Sequence, residues 1–270
     1  VWKTPSIMKR ISVVTPCLNS ERYIEQTLRS VAMQRDDGVE VEHLVIDGGS
    51  ADGTAALVAK YAHPHTHYIS SRDGGPAEAI NKGLCMASGD YLCWLNSDDV
   101  YAPRALVRAV EALETHPEKA FCFGHCPIID ADGREIRRLI TFFKEFWYPL
   151  SSRFVIRVLN YISQPAMVFR RSAFELAGPL RTDLHAAWDY DLTLRLWRHG
   201  GCVRVKRPAM ACFRWTPHSI SGRGYKRQFA EELACAVDDA GKWAFSSIVH
   251  RFVCWGIVLC YGLMSRGNRP

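Results

Sequence analysis

Four short polar segments hold most of the residues in this chain that can do chemistry. Asn96-Ser97-Asp98-Asp99 follows the apolar run from Tyr91 to Leu95, and Asp47 precedes Gly48-Gly49. Arg72-Asp73 precedes Gly74-Gly75, and Asp189 and Asp191 open a periodic segment behind Trp188. Carboxylate oxygens are hard ligands that suit Mg²⁺ or Mn²⁺. A carboxylate set among aromatic rings can act as a general base once partial desolvation lifts its pKa. Each feature also has a plainer reading. Ser97-Asp98-Asp99 can cap a helix beginning near Pro103, and Asp189 can be an ordinary helix N-cap. Asp52 before Gly53 reads as a turn residue. His63, His65 and His67 alternate like metal ligands, yet they precede a strand without a carboxylate partner and read as a solvated edge. The Gly48-Gly49 turn lacks both the Gly-x-Gly-x-x-Gly and the Gly-Lys-Ser/Thr spacing, which excludes a dinucleotide fingerprint and a P-loop.

The elements that must position these residues follow from hydrophobic period. Ile11 to Thr15 reads as a strand, with an N-cap at Asn19-Ser20-Glu21 and a helix presenting Ile24, Leu28 and Val31 on one face. Leu44 to Ile46 is a second strand and Thr54 to Tyr61 a second helix. Tyr68 to Ser70 and the helix opened by Pro76 come next. Tyr91 to Leu95 is apolar throughout, as a strand covered on both faces requires, and Pro103 starts a further helix. This alternation predicts parallel strands with right-handed crossovers, whose ligands bind outside the carboxyl ends. The second half is mixed. Phe121 to Ile136 reads as a hairpin turned at Asp132-Gly133. Residues 141–162 are aromatic and arginine-rich without a period. Ala166 to Phe169 is a strand, Arg171 to Ala177 a helix closed by Gly178, and Asp189 to His199 a helix in which Asp191 faces Arg195 at i, i+4. Val203 to Val205 and Met210 to Trp215 return to strand.

Four blocks in order then resemble glycosyltransferase family 2: Val13-Val14-Thr15-Pro16-Cys17-Leu18-Asn19, Val45-Ile46-Asp47-Gly48-Gly49-Ser50-Ala51-Asp52-Gly53-Thr54, Asp73 to Gly83, and Trp94-Leu95-Asn96-Ser97-Asp98-Asp99. The likeness runs from about Ile11 to about Trp215. It implies an α/β GT-A fold: a Rossmann-like, mostly parallel sheet flanked by helices, with a mixed acceptor-side half and a C-terminal helical extension. It also implies an inverting transfer from a nucleotide-diphosphate sugar, UDP-linked by preference, with Mn²⁺ or Mg²⁺ as cofactor. The family's acidic motif reads Asp-x-Asp. Here Asn96 stands first and Asp98 third, so Asp98 is the expected metal ligand with Asp99 as helper and Asn96 and Ser97 beside the nucleotide sugar. His218, in the loop after the last strand, sits where members carry a histidine near the metal or diphosphate. Asp47 would accept from the base, Thr15 and Pro16 would line the nucleoside pocket with Asn19 in the same block, and Arg72, Asp73 and Lys82 would approach the donor. Trp188-Asp189-Tyr190-Asp191-Leu192-Thr193-Leu194-Arg195-Leu196 is similar to the family's Glu-Asp-x-Asp-Leu-x-x-Arg-Leu stretch, which makes Asp189 the expected base and sets Trp188 in the place of a frequent Glu. Gln164 with Pro165 matches an acceptor-side element. Asn96 and Trp188 also fit a second reading, a nucleotide-sugar-binding module derived from a transferase and no longer active. A third reading, nucleotidyl transfer, expects a glycine-rich basic loop after the first strand, which Thr15-Pro16-Cys17 does not supply.

Composition bounds the partners. A net charge of +6 suits an anionic donor or an anionic membrane surface, and no basic run alternates with aromatics, so no nucleic-acid partner is expected. Ten scattered cysteines without a Cys-x-x-Cys pair read as buried free thiols of a reducing, cytoplasmic compartment. Residues 1–224 are expected to form the transferase domain, with a donor half at 10–115 and an acceptor half at 116–224, and residues 225–270 a helical extension. Phe252 to Met264 is uncharged but short of the ~20 residues a bilayer span needs. With Arg251, Arg266 and Arg269 around it, that run suits an interfacial helix. Phe142, Phe143, Phe146, Trp147 and Tyr148, with Arg153 and Arg157, offer a second aromatic and basic surface. The expected location is therefore the inner face of the membrane, peripherally bound, with a glycan or lipid-linked acceptor of cell-surface polysaccharide synthesis.

Overall fold

The computed structural model describes residues 8–35, 38–217, 219 and 224–267, with side chains described as far as residue 257. Four strands and their crossovers build the first half: β1 (Arg10–Cys17), α1 (Ile24–Ala32), β2 (Glu40–Asp47), α2 (Thr54–Tyr61), β3 (Thr66–Ser70), α3 (Pro76–Met86) and β4 (Tyr91–Trp94). β1 pairs in parallel with β2 and β4, and β2 in parallel with β3, so the carboxyl ends of all four open on one edge. β5 (Val100–Tyr101), α4 (Ala105–Thr115), β6 (Phe121–Phe123), β7 (Ile128–Ile129) and β8 (Glu135–Ile136) follow. The chain continues with α5 (Arg138–Phe146), α6 (Arg153–Val158), β9 (Met167–Arg170), α7 (Arg171–Ala177), α8 (Trp188–Trp197), β10 (Cys202–Arg204) and β11 (Ala211–Arg214). Two helices complete the described chain, α9 (Tyr225–Ala240) and α10 (Phe245–Gly267).

The main sheet has seven strands in the order β10-β6-β9-β4-β1-β2-β3, with β9 antiparallel to both of its neighbours. Side-chain alternation feeds two cores. Ile11 and Val13 of β1 join Tyr91, Cys93, Leu106 and Val110 on one face, while Val14 joins Ile46, Ile80, Trp94 and Phe121 on the other. Gly83 lets α3 lie against the second face, because any Cβ there would run into Val14. A smaller sheet, β5-β11-β7-β8, crosses beside the end of β4.

The expected mostly parallel sheet is present, with three local corrections. Phe121 to Ile136 is not one hairpin. β6 joins the main sheet between β9 and β10, and only β7 and β8 form the hairpin around Gly133. Helix α1 begins at Ile24 and not behind an Asn19-Ser20 cap, because those two residues are spent on tying loops together. Helix α4 begins at Ala105, since Arg104 has φ +57° and breaks any helix entered from Pro103.

Candidate functional site

The ends of β1, β2 and β3 meet in a polar bowl. Asn19, with φ +50°, donates its N–H to Ser50 Oγ at 2.8 Å, and its Oδ1 accepts from the Ala51 N–H at 2.9 Å. The loops after β1 and β2 thereby hold each other. Asp47, buried at the end of β2, accepts from Tyr68 Oη at 2.7 Å, Ser70 Oγ at 2.8 Å and the Ser50 N–H at 3.1 Å. Burial alone would raise its carboxyl, but these hydrogen bonds outweigh that effect and hold it below its usual range. A ligand N–H arriving at Asp47 would compete with the Tyr68 and Ser70 hydroxyls. Asp73 abuts Gly48, where an added Cβ would lie 3.1 Å from Asp73 Oδ2, and Arg72 borders Gly49 in the same way. Lys82 reaches from α3 to Ser71 Oγ. Asp47, Arg72, Asp73 and Lys82 are thus brought to one rim. Thr15 and Pro16 are buried beneath it, with Thr15 Oγ1 bonded to the fully buried His43 ring at 2.9 Å.

The acidic turn after β4 is held from three sides. Thr27 Oγ1 on α1 donates to the carbonyls of Ser97 and Asp99 at 2.9 and 2.8 Å, and Ser97 Oγ meets Ser20 Oγ at 2.8 Å. Arg214 at the end of β11 is almost wholly buried. Its Nε donates to Asp98 O at 2.8 Å, and its other nitrogens donate to Asp130 O, Ala131 O and Gln26 Oε1. Asp99 has no exposed surface. Its Oδ1 accepts from the Arg214 N–H at 2.8 Å and its Oδ2 from Asn96 Nδ2 at 3.0 Å. Burial, then the neighbouring Asp98, raise the Asp99 carboxyl well above its ordinary value. The turn does not cap a helix, because β5 lies between it and α4.

Asp98 differs from Asp99. It is partly exposed, its carboxylate hydrogen-bonds to no other side chain among the described residues, and burial raises its pKa. Among the described residues no group of three His, Cys, Asp or Glu is placed to hold a metal ion. A cation that took one protein carboxylate and filled its shell with diphosphate oxygens and water would fit this arrangement, with Asp98 as that carboxylate. His218 lies outside the described residues.

The far side of the site is built on α8. Asp189 is the second residue of that helix, with Oδ1 accepting from the Tyr190 N–H at 2.7 Å, and Ala187 is its N-cap. Burial raises the Asp189 carboxyl, and the Lys144 ammonium partly offsets that. Asp191 turns away and pairs with Arg195 at 2.8 Å, as its spacing implied. A chain of contacts joins this group to the acidic strand. Gln164 Nε2 donates to Trp94 O at 2.8 Å, and Lys144 Nζ donates to Ser163 Oγ at 3.2 Å while facing Asp189. Gln164 is thus buried at the junction, and Trp188 packs against the main core.

Two carboxylates that sequence reasoning passed over come from α9. Glu231 Oε2 accepts from the N–H groups of His185, Ala186 and Ala187 at 3.0, 2.8 and 3.3 Å, so it serves as the anion at the amino end of α8. Glu232 is buried and accepts from Asn160 and Gln228 at 3.2 and 3.1 Å. Burial pushes its carboxyl up to about 7, in the field of Asp189 and Lys144. Arg214 and Thr27 were also missed. In sequence the one trace of their role is a charge closing an apolar strand and a threonine on the apolar face of a helix.

A profile described as glycosyl transferase family 2 matches residues 12–177. An uncharacterized glycosyltransferase of Mycobacterium tuberculosis (strain ATCC 25618 / H37Rv), Rv1514c, is 31% identical over 187 residues, which are 68% of this chain and 68% of that protein. Among solved structures, TarS 1-349 of Staphylococcus aureus in complex with UDP-GlcNAc superimposes with a TM-score of 0.66 at 19% identity, covering 87% of this chain and 67% of the other. The mannosyltransferase PcManGT from Pyrobaculum calidifontis, in complex with GDP-Man and Mn²⁺, superimposes with a TM-score of 0.63 at 19% identity, covering 100% of this chain and 84% of the other. The profile match stops before Asp189, so the residues of α8 and α9 stand on their geometry alone.

Proposed function

Because this chain belongs to glycosyl transferase family 2 and is a glycosyltransferase with the GT-A fold, we propose that it moves one sugar, with inversion, from a UDP-sugar to a hydroxyl of a glycan or lipid-linked glycan in cell-surface polysaccharide synthesis. The observation that carries the reading is a pair of partly exposed carboxylates with raised pKa values, Asp98 and Asp189. Contacts through Lys144, Ser163 and Gln164 lead from Asp189 to the Trp94 carbonyl, on the strand that runs into the turn of Asp98. The uridine preference rests on the UDP-GlcNAc bound to TarS, and the GDP-Man bound to PcManGT is the competing base.

In this mechanism residues 10–115 bind the donor, residues 116–224 the acceptor, and residues 225–270 form the helical extension. Asp47, Thr15, Pro16 and Asn19 shape the nucleoside side of the bowl, and Arg72, Asp73 and Lys82 border the diphosphate and sugar. Asp98 would hold Mn²⁺ or Mg²⁺, with His218 as the second candidate ligand, and such a cation would supply positive charge to offset the departing diphosphate. Asp99 is reserved for the turn itself, since both of its oxygens are already engaged. Asp189 takes the proton of the acceptor hydroxyl as that oxygen attacks the anomeric carbon. Lys144 keeps the base charged between turnovers, and Gln164 and Trp188 wall the acceptor side. An acceptor carried on lipid places the enzyme at the cytoplasmic face of a membrane.

Hydrolysis and transfer across a panel of nucleotide sugars with Mn²⁺ test this. Asp98→Ala should lose metal-dependent donor binding. Asp189→Asn should keep donor binding and lose about 10²–10⁴-fold in kcat. Equal activity in the wild type and both variants would remove the mechanism, and donor binding without turnover in the wild type would favour an inactive binding module.

A further inference from the structure

Helix α10 is assembled inside out. The side it turns to the domain is small or polar: Ser246, Ser247, His250 and Cys254 are buried there. Ser247 Oγ donates to Gly241 O at 2.9 Å, His250 Nδ1 lies 2.6 Å from Arg157 O, and Cys254 Sγ reaches Phe229 O. The opposite side carries Phe245, Phe252 and Trp255, spaced by seven and three residues along one helical stripe and exposed by 70%, 70% and 69%. Phe154 of α6, half exposed, stacks on Phe245 at 6.0 Å and widens the stripe. Helix α5 repeats the inversion, with Thr141 inward and Leu139, Phe142 and Phe146 outward. Each such side chain would release about 1.5–3 kcal/mol if removed from water. A contiguous face of them therefore marks a contact surface.

We propose that the outer face of α10, with Phe154, docks on an anionic lipid surface, α10 lying in the plane of the interface. Charge selects this occupant. From Gly241 to Gly267 the chain holds three basic residues, Lys242, Arg251 and Arg266, and no acidic one. A two-fold contact between copies of this face would bring Lys242 and Arg251 up against their counterparts, which disfavours a homodimer, whereas anionic headgroups complement them. Among the described residues, no helix is long and apolar enough to cross a membrane. The surface also lies next to the chemistry. α10 packs on α9, and α9 supplies the Glu231 carboxylate that caps the helix carrying Asp189. An acceptor rooted in that lipid surface is thereby presented on the base side of the site.

Only this last step rests on the transferase reading. Vesicle binding needs no donor, so its failure would leave the donor chemistry standing. The experiment is flotation of the full chain with phosphatidylcholine vesicles and with mixed phosphatidylcholine–phosphatidylglycerol vesicles, for the wild type and Phe252→Ser/Trp255→Ser. Both side chains are exposed, so the variant should keep the wild-type melting temperature. The expected result is flotation with the mixed vesicles, at least about tenfold weaker in the variant, and little with neutral vesicles. Wild type that stays down with both vesicle types, a variant that floats equally well, or equal flotation with neutral vesicles would overturn the proposal. So would a dimer by sedimentation velocity that the double substitution turns into monomer.

Discussion

At the acidic turn, neutral hydrogen bonds and one buried guanidinium hold a backbone that has a single outward carboxylate. Around Asp189, by contrast, three ionisable groups from three helices, Lys144, Asp189 and Glu232, lie in one another's field. The first region is a rigid mount and the second a balanced cluster. Damage to the first should appear as lost stability, and damage to the second as altered pH dependence. That difference gives a way to separate binding from proton transfer in a chain whose two key residues are both aspartates.

The strongest test of the mount is Arg214→Met. It keeps much of the side-chain volume but leaves the carbonyls of Asp98, Asp130 and Ala131 and the Gln26 amide oxygen without their donor. Urea unfolding should show a loss of about 3–5 kcal/mol. A loss within about 0.5 kcal/mol, the range of ordinary surface changes, would mean that the turn is held by Thr27 and Ser20 alone.

Next comes Asn96→Asp, which restores the family's usual acidic pair on paper. Here Asn96 Nδ2 donates to Asp99 Oδ2 at 3.0 Å, so an aspartate would set two carboxylates against each other beside a buried backbone. The expected cost is about 1–3 kcal/mol at neutral pH, partly recovered in acid, where the pair can share a proton. An unchanged melting temperature at pH values from acid to neutral would show that Asp99 tolerates a second acid. The asparagine is therefore part of the mount, and the single-carboxylate character of this site follows from the burial of Asp99.

An effect of opposite sign, confined to a narrower pH range, is expected at Glu232. Its folded carboxyl lies at about 7, against 4.5 for the ordinary group. The folded state thus binds more protons than the unfolded state between those values, and this group subtracts stability as pH rises through that window. Glu232→Gln removes the penalty. It should gain about 1–3 kcal/mol of stability relative to wild type above neutral pH, with no gain near pH 4. A stability difference independent of pH would break the picture of a shared cluster.

Much of the mount was legible in the sequence because it is local. An apolar strand, a polar turn and an amphipathic helix recur three times in the first hundred residues, and the turns fall where a parallel sheet binds ligands. The errors came from partners far apart in the chain. Phe121 to Phe123 looks like one arm of a hairpin until β9 and β10 claim it from more than forty residues away. Asp99 looks like a metal ligand until Arg214, 115 residues on, shows that its carboxylate is already spoken for. Glu231 and Glu232 sit in a helix that the sequence marks only as helical, and its docking on α8 turns one into a cap and the other into a buried acid. Helix α10 was legible as apolar, but which side of it faces the domain depends on His250 and Ser247 finding carbonyl partners.

In the proposed mechanism one carboxylate, Asp98, couples the metal to the donor. Calorimetric titration with the nucleoside diphosphate selected by the donor panel, with and without Mn²⁺, tests it directly in wild type and Asp98→Asn. Mn²⁺ should tighten binding to the wild type by at least about tenfold and leave the variant's weaker binding unchanged. The same gain from Mn²⁺ in both proteins would contradict the account.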